Sequence, residues 1–215
     1  MQDNKLILNI TRVACILTFF VIIVGAYTRL SDAGLGCPDW PGCYGRMVIS
    51  HDAEYIEQAN EAYPDRPLEK GKAWIEMIHR YIAGILGLLI LAITVIAWFK
   101  HDSKKIRFLA TSTLLLVIFQ ALLGMWTVTL LLKPFIVLLH LLGGMTIISL
   151  LYWLMLELQS YRSIPIPRRE PRLFSWVLAG LLVLLAQISL GGWTSTNYAA
   201  LACPDFPTCH NEIWP

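Results

Sequence analysis

The chain has 215 residues, of which 56% are hydrophobic and 15% charged, with a formal net charge of +2. Soluble domains carry about 25% charged residues, so this composition excludes an ordinary soluble domain and points to an integral membrane protein. The charge total says little, and nothing in its pattern calls for a nucleic-acid partner; the expected partner is the lipid bilayer.

The first apolar segment lies near 8–29, behind Lys5 and Arg12. It has the outline of a signal peptide, but no small-x-small cleavage site follows, and its end resembles later segments that cannot be signals. Four more segments lie near 74–99, 107–131, 135–157 and 173–195. Each is long enough to cross a hydrocarbon core, which takes about 20 helical residues. Lipid offers bare backbone no hydrogen bonds, so these runs must be helices. The expected fold is all-α: a polytopic transmembrane bundle with five helices present.

Orientation follows from Lys and Arg in the short links. Lys100, Lys104, Lys105 and Arg107 join the second and third helices, and Arg162, Arg168, Arg169 and Arg172 join the fourth and fifth. Those links, and the N-terminus, are expected on the cytoplasmic side. Loop 30–73, the turn at 132–134 and the C-terminal tail are expected outside. Against this, the 30–73 loop carries Arg46, Arg66, Lys70 and Lys72, spread among acids.

The chain repeats itself. "VGAYTRLSDAGLGCPDWPGC" (24–43) aligns without gaps to "LGGWTSTNYAALACPDFPTC" (190–209), an offset of 166 residues. A shorter echo pairs "QALLGMWT" (120–127) with "QISLGGWT" (187–194), with Gln, Gly, Trp and Thr in register. Small and aromatic residues at helix ends are ordinary in membranes. They do not account for a gapless C-P-D-[WF]-P-x-C match, which implies duplication. Helix five then corresponds to helix one of a four-plus-four architecture. The expected division is 1–172, a four-helix half, and 173–215, the first helix and outer loop of an incomplete second half. The chain is expected to be a truncated or split product.

Of five histidines, His51, His101 and His210 fall in loops and are expected to be solvated. His79 and His140 fall inside helices two and four, where ionisable groups are costly and face a bundle interior. Counted from Trp74 and Pro134, both lie roughly 8–9 Å below the outer ends of their helices at about 1.5 Å per residue. A lone membrane histidine is most simply a cross-helix hydrogen bond. Two at matched depth suit ligation of one haem iron from opposite faces. Gly84 and Gly87 follow His79, and Gly143 and Gly144 follow His140, as bare patches for a flat macrocycle.

Glu76 stands three residues before His79, on the same helix face. A carboxyl there orients the imidazole or serves as acid or base. Arg80 is placed to pair with a propionate or with Glu76, and Arg29 ends helix one at a similar level. Snorkelling to the interface explains Arg29 equally simply; for Glu76 a role in the site is the preferred reading. Cys37 and Cys43, like Cys203 and Cys209, flank five residues with two prolines, on the side where disulfides persist. Four cysteines allow three pairings, and a staple, a redox dithiol and a metal site remain open. Cys15, inside helix one, reads as a small hydrophobe.

"EMIHRYIAG" on helix two, "HLLGG" on helix four and the cysteine loops after helices one and five resemble the heme A synthase family over the whole chain. The resemblance implies eight helices in two similar halves, each with a histidine pair for haem. It implies oxidation of the methyl group of heme O to the formyl group of heme A by successive hydroxylations, for cytochrome oxidase biogenesis. His79 and His140 match the pair of the substrate-binding half, as ligands of haem iron with Arg80 beside them, and Glu76 matches the acidic residue tied to catalysis. Cys37 and Cys43 match a disulfide with a proposed electron-transfer role; Cys203 and Cys209 repeat it.

The family's second histidine pair, expected to hold heme b, would fall beyond residue 215. Heme O, heme O synthase and terminal oxidase subunits are the implied partners, and a bacterial inner membrane the implied location. The alternatives are a non-catalytic haem-binding electron carrier, a membrane thiol–disulfide oxidoreductase working through Cys37 and Cys43, and an assembly factor that passes haem on unaltered. The chain alone is expected not to form heme A when co-expressed with a source of heme O; heme A in a solvent extract would overturn this.

Overall fold

The computed structural model describes residues 2–159, 171–199, 201–205 and 207–213. Among them are six helices in chain order: α1 (Gln2–Leu30), α2 (Ala53–Ala62), α3 (Lys70–Lys100), α4 (Lys104–Thr129), α5 (Pro134–Leu158) and α6 (Pro171–Thr196). All but α2 are long and apolar enough to cross a membrane, so the chain is an all-α integral membrane protein. Arg162, Arg168 and Arg169 lie outside the described residues.

The spanning helices fall where hydropathy placed them, and their ends show local causes. Ser103 caps α4 by accepting a hydrogen bond from the Ile106 amide at 3.4 Å, as N-cap hydroxyls do. Pro134 opens α5, where its missing N–H costs nothing. The α4–α5 turn holds Leu131 and Leu132 at φ 55° and 54°, a left-handed conformation costing roughly 1–2 kcal/mol per L-residue. It is closed by Leu132 N–H donating to the Thr127 carbonyl at 2.8 Å. Threonines inside the bundle satisfy themselves. Thr11, Thr18 and Thr113 each donate to the carbonyl four residues back, while Thr94 reaches both its own turn and the Ala110 carbonyl of α4.

Helices α1, α3, α4 and α5 close a ring in which each packs on two neighbours; α6 stands outside and packs on α5. The ring's core at the end away from the cysteine loops is aliphatic, with Ile7, Ile90, Ile93, Leu109, Leu151 and Leu154 all buried. The 39-residue region between α1 and α3, expected as a loop, holds α2. Its charged sequence hid a short amphipathic face, with Tyr55 and Ala59 one turn apart and both buried. These join a second core with Cys37, Cys43, Tyr44, Ala73 and Met77. Tyr55 donates to the Cys43 carbonyl at 3.2 Å and Tyr44 to the Arg66 carbonyl at 3.0 Å. Burial pushes the Tyr44 hydroxyl up to about 12, so it remains a donor at neutral pH.

The repeat is geometric as well as textual. Asp32 and Tyr198, Tyr44 and His210, and Gly45 and Asn211 have positive φ at matching positions. The bridges Cys43–Arg46 and Cys209–Glu212 correspond. The Asp39 carboxylate accepts from the amides of Tyr44 and Gly45, and Asp205 accepts from those of His210 and Asn211. Equivalent positions also touch each other. Arg29 Nη2 donates to the Ser195 carbonyl at 2.6 Å, and Tyr198 Oη to the Asp32 carboxylate at 3.4 Å, both across 166 residues. Self-contact of equivalent positions is the mark of a local two-fold relation.

Gly36 lies directly on the first turns of α3. A Cβ there would sit 2.6 Å from the Lys72 carbonyl carbon and 2.8 Å from the Ala73 nitrogen, backbone that cannot swing aside. Gly36→Ala is expected to cost about 1–3 kcal/mol, the usual range for overpacking, read as a lower thermal midpoint in detergent. Gly71→Ala, where a Cβ meets nothing within 4 Å, is the matched control.

Candidate functional site

The site is built where α3 and α5 carry their histidines into the ring. The His79 ring lies against Gly25 of α1, where a Cβ would come 2.9 Å from Cε1, and is directed at the Val21 carbonyl. Only glycine leaves room for the ring at this crossing. The His140 ring lies beside Gly124 of α4, with Cε1 3.5 Å from a Cβ built there, and is directed at the Gln120 carbonyl. The two imidazoles are close enough to interact electrostatically. In both, Nδ1 is buried without a hydrogen-bond partner. With Nδ1 turned into the protein, Nε2 is the ring nitrogen left for a metal ion, and a ligating histidine commonly gives its other N–H to backbone.

Two imidazoles brought this close inside one ring of helices are the donor set that a haem iron would take. Among the described residues, no three His, Cys, Asp or Glu groups converge to hold a metal ion by themselves.

The surroundings differ in part from the sequence expectation. Helix α3 begins at Lys70 rather than near Trp74, so His79 stands nine residues in and His140 six from Pro134. The extra turn of α3 stands beneath the cysteine loop. Gly84 and Gly87 do face open space, with nothing within 4 Å of a Cβ. Gly143 is instead the seat of the Gln120 amide, and Gly144 touches Ile22 of α1 at 3.8 Å. These two serve helix packing. His51 and His210 are exposed as expected; His101 is half-buried, with a partnerless Nε2.

Glu76 and Arg80 are placed together, and both turn to the first cysteine loop. Glu76 Oε1 pairs with Arg80 Nη2 at 2.5 Å, with side-chain exposures of 6% and 12%. Glu76 Oε2 accepts from the Cys37 amide at 2.9 Å. Arg80 Nη1 donates to the carbonyls of Asp39, Pro41 and Gly42. A buried ion pair gains little net stability unless its remaining valences are met, and here the loop backbone meets them. Arg29 is committed elsewhere, stacked over the Tyr198 ring at 4.2 Å. Cys15 is a free, half-buried thiol of α1.

Both disulfides are formed: Cys37–Cys43 and Cys203–Cys209. Their surroundings differ. Cys37 and Cys43 are both 0% exposed, whereas Cys203 is exposed and Cys209 half-buried. The first loop is covered by α3 and α2; the second rests on no such helix among the described residues.

Gln120 and the carbonyls of Val21 and Gln120 went unnoticed as site features. Only Gln120 left a trace in the sequence, through its match to Gln187 in the repeat. The burial contrast gives a direct expectation. Under mild aqueous reductant, Cys203–Cys209 should open and be alkylated at least about tenfold faster than Cys37–Cys43, measured by peptide mass. Equal rates would show that the first loop lifts from α3.

The comparisons with known proteins agree with this architecture. The chain matches the COX15-CtaA family, cytochrome oxidase assembly protein, over residues 9–215. A heme A synthase of Shewanella oneidensis is 49% identical over 201 residues, covering 94% of this chain and 60% of the relative. A heme A synthase of Bacillus licheniformis is 27% identical over 216 residues, covering 97% of this chain and 65% of the relative. The chain thus spans a little under two thirds of the length of these curated relatives. No solved structure matches it. A family match over nearly all its residues, on a bundle with the expected helices and loops, means that the chain belongs to the cytochrome oxidase assembly protein family.

Proposed function

We propose that this chain acts in heme A synthesis, in the oxidation of the methyl group of heme O to the formyl group of heme A. The observation that carries the reading is the histidine pair: two imidazoles from α3 and α5 inside one ring of helices, close enough to interact electrostatically. The names of the relatives support it. His79 and His140 are the proposed ligands of haem iron, which supplies the redox chemistry when bound.

Glu76 is the proposed acid or base, one turn before His79. Its bonds to Arg80 and the Cys37 amide hold the loop and the ligand-bearing turn of α3 in one register. Arg80 steadies this carboxylate, and its remaining donors serve the loop.

In this reading, residues 1–172 form a haem-binding half and 173–215 begin a second, with heme b held by the later helices of the longer relatives. The cysteine loops face the outside of a bacterial inner membrane and the N-terminus the cytoplasm. Lys100, Lys104, Lys105 and Arg107 then mark the cytoplasmic side. Heme O synthase and terminal oxidase subunits are the proposed neighbours in the pathway.

A second reading is a non-catalytic haem carrier or electron-transfer protein. It is favoured by one observation: both oxygens of Glu76 are already engaged. The burial of Cys37 and Cys43 weighs against a thiol–disulfide oxidoreductase working through them.

The test is a reduced-minus-oxidised absorption spectrum of the detergent-purified chain beside His79→Ala and His140→Ala. A low-spin haem signal in the parent, lost in both variants, is expected. A signal retained in either variant would overturn the pairing. With haem present, Glu76→Gln, made in this chain joined to the later helices of a longer relative so that oxidation can be read, separates the two readings: loss of oxidation with an unchanged spectrum supports the enzyme, and no effect on either supports the carrier.

A further inference from the structure

At the tip of the first cysteine loop the charged groups are engaged and the apolar ones face outward. Met47 and Val48 are 58% and 62% exposed, and Trp40 of the same loop is exposed as well. Arg46 stacks over the Tyr55 ring at 4.6 Å. The Asp39 carboxylate accepts from the Tyr44 and Gly45 amides. Arg80 donates to the carbonyls of Asp39, Pro41 and Gly42. A loop surrounded by water would present such charges and cover the methionine and valine.

The tip is held on three sides. Just before it, Cys43 and Arg46 exchange backbone hydrogen bonds at 2.8 and 3.2 Å. Just after it, Ile49 is buried in the core of the loop. From beside it, Tyr81 of α3 donates to the Met47 carbonyl. The exposure of Met47 and Val48 is therefore built into the fold.

Tyr81 shares a face of α3 with Ile78, Ile85 and Leu88, at spacings of three and four residues, and those three are exposed. Helix α3 packs on α1 and α4, whereas α6 packs on α5 across the ring. The Tyr81 face thus points away from α6 and belongs to the lipid-facing surface of the bundle. The loop tip continues that apolar surface outward.

The depth agrees. The His79 ring lies against Gly25, five residues before the end of α1 at Leu30, and Tyr81 is two residues further into α3. Tyr81 therefore stands about 10 Å below the level of that end, at about 1.5 Å per residue. Long helical side chains lean back toward the helix N-terminus. This brings the Tyr81 hydroxyl, and the Met47 carbonyl that it meets, to the level of the membrane interface rather than above it.

We infer that Trp40, Met47 and Val48 form a lipid-anchoring patch, by which the first cysteine loop dips into the bilayer interface beside α3. Indole and short apolar side chains suit that zone. The second copy keeps the pattern: Ile213 stands where the repeat places Met47 and is exposed too. Because the same loop supplies the bonds of Glu76 and Arg80, its contact with lipid helps to keep it seated on α3. The inference does not depend on the haem reading above.

The experiment uses the purified chain in vesicles of phosphatidylethanolamine and phosphatidylglycerol. Cys15→Ala removes the free thiol, and a single spin label is attached through Met47→Cys or, separately, Val48→Cys. Ile85→Cys, on the lipid-facing side of α3, and Gln58→Cys, on the exposed side of α2, are the references. A thermal midpoint equal to the parent's shows that a labelled chain folds, and the two tip positions are independent if one does not. Power saturation then compares oxygen, which concentrates in hydrocarbon, with a water-soluble nickel chelate.

Labels at both tip positions are expected to give an oxygen-to-nickel accessibility ratio several-fold above that at Gln58 and approaching that at Ile85. A ratio equal to that at Gln58 would put the tip in water. Exclusion of both reagents would put it against protein, a second copy of the chain included. Either result overturns the inference and leaves the haem site untouched.

Discussion

The ion pair of Glu76 and Arg80 is the constraint on which the rest of this structure depends. It is buried in the second turn of α3, and neither charge is stable there alone. Removing one partner of such a pair typically costs about 3–5 kcal/mol. What makes the pair tolerable is the first cysteine loop, whose Cys37 amide and three carbonyls supply the remaining bonds. The loop in turn is shaped to deliver them, by the Cys37–Cys43 link and by the Asp39 carboxylate that ties its two sides. Helix, loop and disulfide are therefore one unit. His79 stands one turn further along the same helix, so its position against Gly25 is inherited from that unit.

The fold was legible because its signals are long. Apolar runs of 20 residues or more have one solution in lipid, and the five spanning helices follow from them. Helix α2 was hidden because its ten residues carry three glutamates and bury only a narrow face. The extra turn of α3 escaped for a related reason. Lys70 and Lys72 read as loop, yet Lys72 lies beside Asp32 and Glu69 at the rim, and the helix extends to meet the loop above it.

The site was legible in identity more than in geometry. Histidines inside apolar runs stand out, and so does a carboxylate one turn away. What the glycines do is decided by the neighbouring helix, which composition does not reveal. Gly84 and Gly87 border open space, Gly143 seats a glutamine, and Gly25, noticed only as part of a repeat, turned out to be the floor beneath His79. Pairing of Glu76 with Arg80 is local and could be anticipated from their spacing of four residues. The carbonyls that complete it come from 38 to 41 residues away and belong to tertiary structure.

The joint at Arg29 and Ser195, with Asp32 and Tyr198 beside it, has a bearing on ancestry. Positions that correspond under the repeat meet themselves there. Two identical polypeptides associating about a two-fold axis make that kind of contact, each presenting the same patch to the other. A single-copy ancestor carrying these residues already possessed the surface needed to assemble as a homodimer. Joining two copies of its gene end to end would then have preserved an existing association.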